Sequence, residues 1–242
     1  MTELALIHGL AASREIWRHV AGLLPGSVAL DVPGFGAPPV GEGFDLAAVA
    51  DALASELPRR FDLVGHSMGG AVALTLASRH PDRVRRLVLV APAGLRAFPP
   101  IAGAVAGALT SPLNALRRAG APLADLAWGR RLLLGFGTAE PVALAPSEVR
   151  MLVGASRGAT RVREALATVA SSDLRPVLRE LPVPVGAVWG ERDHVIPRPA
   201  LEVFRECRPE APFEIIEGAG HIPMIERPRA FADALIRVVH RL

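Results

Sequence analysis

The chain has 242 residues, half of them hydrophobic, with 27 basic residues against 24 acidic ones and a formal net charge of +3. That length and apolar fraction can bury a large core, which excludes disordered and fibrous classes and fits one α/β domain with room for an inserted subdomain. The charge is too small for a nucleic-acid footprint, and although every basic residue is an arginine, no device follows from that bias alone.

Leu4-Ala5-Leu6-Ile7 is a short apolar run of the kind buried on both faces of a parallel sheet, and it ends in His8-Gly9-Leu10. Ser13 to Leu24 has Ile16, Val20, Leu23 and Leu24 at helical spacing beside Trp17, and Pro25-Gly26 stops it. Val28-Ala29-Leu30 is a second strand, turned out by Asp31-Val32-Pro33-Gly34-Phe35-Gly36. Asp45 to Leu57 follows as an amphipathic helix with Asp45 as its N-cap. The run from Phe61 enters a Gly-flanked corner at Gly65-His66-Ser67-Met68-Gly69-Gly70, and a helix follows until His80-Pro81-Asp82-Arg83. Leu87-Val88-Leu89-Val90 is the fourth strand, and this alternation predicts right-handed crossovers and a parallel sheet.

From Pro92 to about Asp173 the strands stop, and helical runs punctuated by Pro and Gly take over, including Ala121 to Leu134, Ser147 to Val153 and Ala159 to Ala170. We read residues 92–173 as a helical cap inserted after the fourth strand, and residues 1–91 and 174–242 as the α/β core. Asp173 to Leu181 is helical. Val183 to Trp189 resumes the strand series and ends in Gly190-Glu191-Arg192-Asp193. Pro199 to Cys207 reads as helix, Phe213-Glu214-Ile215-Ile216 as the last strand, then Gly218-Ala219-Gly220-His221 and a closing helix from Pro228 to Leu242.

Gly65-His66-Ser67-Met68-Gly69 fits the G-x-S-x-G elbow, where a strained strand-to-helix turn lifts the serine hydroxyl clear of the sheet. A serine hydroxyl is a weak nucleophile and needs a base in hydrogen-bond reach, itself oriented by a third group. Ser67, Asp193 and His221 supply all three, each just beyond the carboxyl end of a predicted strand, where open α/β sheets carry their sites. Among the other histidines, His8 belongs with the shaping of the first loop, His66 points elsewhere from the elbow, and His19, His80 and His240 sit on helices or their ends. His194 is too close to Asp193 to serve, and Glu191, two residues from Asp193, stands as the substitute acid. The backbone amides of Met68 and Leu10 are the expected oxyanion-hole donors.

The segments from His8-Gly9-Leu10 with Ser13 and Trp17, through Asp31 to Gly36, Gly65 to Gly70, His80 to Val84, Gly190 to Pro197 and Gly218 to His221 together resemble the α/β-hydrolase superfamily, in its branch of small capped serine carboxylesterases. The resemblance implies a Ser67, Asp193, His221 triad and an eight-stranded sheet opening with an amino-terminal hairpin. Here the sequence enters at the equivalent of the third strand, so we expect a six-stranded, all-parallel core whose shortened edge needs cover from a loop or from a partner in a homodimer. The serine at the nucleophile position is unlike epoxide hydrolases and haloalkane dehalogenases, which carry Asp there. Carbon–carbon hydrolases of ring-cleavage products often have Asn where His66 stands.

The leading expectation is a serine esterase acting on a small, apolar ester through an acyl-enzyme on Ser67. The alternatives are a carbon–carbon bond hydrolase, or a lyase or small-molecule receptor on the same fold. Trp128 and Phe136 are expected to line an apolar pocket, while Arg150, Arg157, Arg161 and Arg163 are read as solvated helix faces. No metal cluster or nucleotide loop is visible, and the mechanism needs no cofactor. Cys207 has no partner within the chain, no charged leader precedes the first strand, and Phe98 to Leu109 is too short and too broken by Pro and Gly to span a bilayer. The expectation is a soluble cytoplasmic protein with no membrane span.

Overall fold

A computed structural model describes residues 4–95 and 115–242; the stretch Phe98 to Leu109 lies outside the described residues. The apolar runs become one sheet of six strands: β1 (Leu4–Ile7), β2 (Ser27–Leu30), β3 (Phe61–His66), β4 (Val84–Val90), β5 (Val185–Gly190) and β6 (Phe213–Ile216). Their spatial order is β2-β1-β3-β4-β5-β6 and every neighbouring pair is parallel, as expected for this core. The longer helices are α1 (Leu46–Glu56), α2 (Met68–Arg79), α3 (Ala127–Leu134), α4 (Pro146–Ala155), α5 (Val162–Ser171), α6 (Pro199–Cys207) and α7 (Pro228–His240).

Because strand side chains alternate between faces, each wholly apolar strand feeds two cores. Ala5, Ile7, Leu63, Leu87, Leu89, Ala187 and Trp189 pack on one side with α1, α2, α5 and α6. Leu6, Val64, Val88, Val90 and Val188 pack on the other with Trp17 and α7, where the Trp17 and Phe231 rings lie 5.9 Å apart. Each large side chain so buried contributes about 1.5–3 kcal/mol relative to exposure.

The structure shortens three of the expected helices. Ser13 to Leu24 forms a 3-10 turn at Arg14–Trp17 and one helical turn at Arg18–Ala21, and the Val20 carbonyl, shared between the amides of Leu23 and Leu24, closes it. Ala121 to Leu134 breaks at Leu126, whose extended backbone (φ −97°, ψ 137°) separates a Pro-initiated 3-10 turn from α3. Helix α5 begins only at Val162, because Ala159 bridges Phe35 and Thr160 N–H donates to the Gly34 carbonyl (2.8 Å). In contrast, Asp45 caps α1 as expected, its Oδ1 accepting from Ala48 N–H at 2.7 Å. At the sheet edge β2 pairs only with β1, and its Val28 is exposed.

Candidate active site

Ser67 sits between β3 and α2 with φ 55° and ψ −119°, a left-handed conformation that a non-glycine residue adopts only under constraint. The constraint is visible in its backbone bonds. Ser67 N–H continues the sheet ladder to the Val90 carbonyl (3.0 Å), while its own carbonyl accepts from Gly70 (2.9 Å) and Ala93 (3.0 Å). Glycines make room for this corner: a Cβ on Gly69 would overlap the His8 carbonyl oxygen, and one on Gly65 would meet Ala73 Cβ at 2.5 Å. The loop after β1 therefore lies directly against the elbow. A Cβ on Gly9 would stand 3.0 Å from Ser67 Cβ.

Asp193 and His221 leave the ends of β5 and β6. The buried Asp193 carboxylate accepts His221 Nδ1–H through Oδ2 (2.8 Å), and its Oδ1 accepts the amides of Val195 and Ile196, both at 2.8 Å. Both carboxylate oxygens are thus fixed, and the His221 ring is left with Nε2 as its free nitrogen. Glu191 is exposed and accepts from Gly218 N–H (3.0 Å), so it does not take the place of Asp193.

Ser67 and His221 both line one cavity of about 150 Å³. Its walls come from the first loop (Gly9, Leu10, Ala11, Ala12) and from Leu134, Leu152 and Val153 of the helical segment. Leu10 lies on this wall, and Met68 follows Ser67 at the first position of α2, where the helix N-terminus presents unpaired amides. The structure corrects the expectation for Trp128 and Phe136. They are 56% and 73% exposed and do not line the cavity: Trp128 lies on the outer face of α3, whose inward face carries Gly129, Leu133 and Leu134, and Phe136 lies in the turn after it. Of the four arginines read as solvated, Arg150 pairs with Asp125 (2.8 Å), Arg161 with Glu164 (3.5 Å), and Arg157 and Arg163 are exposed. None lines the cavity.

Four of the remaining histidines have structural partners. His8 is buried, donating through Nδ1 to the Gly9 carbonyl (2.9 Å) and accepting Val32 N–H at Nε2 (3.0 Å). His66 packs beside His221, with ring centroids 4.7 Å apart, and donates through Nε2 to the His221 carbonyl (2.8 Å). Burial lowers the pKa of both, most at His66, where the nearby His221 ring opposes a second positive charge. His19 pairs with Glu148 and His80 with Asp51, both at 2.7 Å, whereas His194 and His240 are exposed.

One residue at the site was not singled out by sequence reasoning. Glu226, in the short helix Pro223–Glu226, accepts the amides of Gly220 (3.1 Å) and Ile222 (3.3 Å) on either side of His221, and that of Ala139 (2.7 Å) from the helical segment. Burial pushes its carboxyl pKa up against the pull of these amides. The only sequence signal is its spacing of five residues after His221, and a spacing alone does not reveal three backbone partners.

The alpha/beta hydrolase family model matches residues 4–234, nearly the whole chain. The chain belongs to the alpha/beta hydrolase family. It is 33% identical over 250 residues to the pimeloyl-[acyl-carrier protein] methyl ester esterase of Neisseria meningitidis, an alignment that covers 94% of this chain and 89% of that protein. The corresponding esterase of Aromatoleum aromaticum is 31% identical, with 98% of each chain covered. Among solved structures, a thermophilic esterase from Thermogutta terrifontis superposes with a TM-score of 0.77 at 22% identity, covering all of this chain and 90% of that one, a likeness of fold. Among the described residues of this family member, no helix is long and apolar enough to cross a membrane. No group of three or more His, Cys, Asp or Glu side chains among them is arranged to hold a metal.

Proposed function

We propose that this hydrolase-family protein is a serine esterase that cleaves a small carboxylic ester, a methyl ester foremost, through an acyl-enzyme on Ser67. The observation that carries the reading is the buried Asp193 to His221 bond of 2.8 Å, on the wall of the same cavity as the strained Ser67. His221 Nε2 takes the proton as Ser67 Oγ attacks the ester carbonyl. Asp193 holds the ring through Nδ1–H and stabilises the imidazolium that forms. The negative oxygen of the tetrahedral intermediate receives the amides of Met68 and Leu10, each such donor being worth about 10²–10³ in rate. His221 then returns the proton to the departing alcohol, and a water activated by the same base releases the acid. The 33% identity to methyl ester esterases supports an ester as the scissile group.

Residues 1–91 and 174–242 act in this reading as the catalytic core, and residues 92–173 as a cap that covers the acyl group while leaving access for the hydrolytic water. A cavity of about 150 Å³ admits a guest of benzene size beside Ser67.

Hydrolysis of methyl esters of graded acyl length by the wild type and by Ser67→Ala tests the proposal. Turnover that depends on chain length and falls at least 10³-fold in the variant supports it. Cleavage of a ring-fission diketone without ester turnover would move the reaction to a carbon–carbon bond.

A further inference from the structure

Among the described residues, the cavity that holds Ser67 and His221 has one arginine on its wall, Arg117, among apolar neighbours that include Ile16, Leu134, Leu152 and Ile222. Residues 115–119 are helical, and Arg117 is half-buried there. Its Nε is buried without any hydrogen-bond partner, and it makes no salt bridge to a carboxylate among the described residues. The neighbouring segment 96–114 contains neither Asp nor Glu. The other polar side chains of the wall outside the triad and elbow are occupied. Thr138 Oγ1–H donates to the Leu134 carbonyl (3.1 Å), and Ser156 Oγ–H donates to the Val153 carbonyl (2.8 Å) while accepting from Arg118 (3.2 Å).

Taking a guanidinium partly out of water without an acid is unfavourable, and an anion in the cavity would offset that cost. Burial lowers the Arg117 pKa and no acid opposes that shift. Two other arginines also have an unpartnered Nε, but Arg161 has Glu164 and Arg130 donates to the Ala124 carbonyl (2.9 Å), and neither lines the cavity. Arg117 lines the cavity, and a planar guanidinium is a group that a carboxylate or phosphate can engage with two parallel bonds.

We propose that Arg117 binds an anionic oxygen group, a carboxylate or a phosphate, which the substrate carries apart from its scissile ester. The inference rests on the esterase reading for which bond is cleaved, and adds the substrate class: an ester that also carries an anionic group rather than a neutral one. Arg117 sets specificity and takes no part in proton transfer.

Calorimetric titration of Ser67→Ala, which binds without turnover, separates this inference from the reaction itself. The probes are monomethyl succinate and monomethyl adipate, their neutral dimethyl counterparts, and methyl 3-phosphonopropanoate. At least tenfold tighter binding of the anionic esters, lost in Ser67→Ala/Arg117→Gln and partly retained in Ser67→Ala/Arg117→Lys, supports the proposal. Whether the carboxylate or the phosphonate binds better identifies the anion. Equal affinity for charged and neutral esters, a preference that survives Arg117→Gln, or no binding of any probe would overturn it. Turnover of neutral esters by the wild type without anion preference sinks this inference alone. Anion preference in binding with no ester turnover sinks the esterase reading instead.

Discussion

His8 and His66 hold the two loops that meet at Ser67, and both do so as neutral imidazoles. In the unfolded chain each takes up a proton near pH 6.5, while burial holds the folded-state pKa lower. Their contribution to stability is therefore complete above pH 6.5 and is lost as pH falls below it, because the unfolded state then binds more protons. The urea midpoint should drop between pH 7.5 and pH 5, and His66→Gln should flatten that slope. An unchanged slope in the variant would remove His66 from the account. Glu226 makes a separate claim, on the rate. Glu226→Gln keeps the shape but loses the charged acceptor on both sides of His221, so kcat should fall about 10²-fold with little change in KM, as for a small displacement of a catalytic group. Equal kcat values would mean that the His221 loop holds itself. At this scale the sequence was legible where local motif and chain order set position, as for Ser67 and His221 on one cavity and Asp193 bonded to His221. Glu226 and Arg117 were not legible, since their meaning comes from partners, or their lack, across the fold.

At the level of elements, the crossing of α2 over β1 and β3 sets the position of Ser67. Gly69 lies so close to the first loop that Gly69→Ala must push the His8 carbonyl away, moving both Leu10 and Ser67. A stability loss of about 3 kcal/mol or more in urea unfolding is expected, at the upper end for overpacking. Gly154 is the counterexample: it lies inside α4 with open space where a Cβ would stand, so Gly154→Ala should stabilise by roughly 0.5–1 kcal/mol. If both variants behaved alike, close backbone approach would not be what fixes the elbow. Strand positions were readable because runs such as Leu4 to Ile7 are apolar on both faces. Helix limits in the segment after β4 were less so. Ala159 and Thr160 have helical spacing in sequence but are drawn out by Phe35 and Gly34, a tertiary pairing that no local pattern encodes. Trp128 and Phe136 failed as pocket residues because composition says neither which face of α3 turns inward nor where the turn after it points.

For the molecule as a whole, the parallel sheet brings three strand ends together so that residues 67, 193 and 221 converge, and the helical segment adds Leu134, Leu152 and Arg117 above them. The central claim is that this convergence makes Ser67 a nucleophile that carries the acyl group. Intact-protein mass spectrometry after reaction with a fluorophosphonate, and after rapid quenching with an activated short-chain ester, addresses it directly. The account predicts one phosphonyl and one acyl adduct, both mapping to Ser67 and both absent in Ser67→Ala and His221→Ala. Ester turnover with no covalent adduct at Ser67, or with undiminished rate in Ser67→Ala, would contradict it.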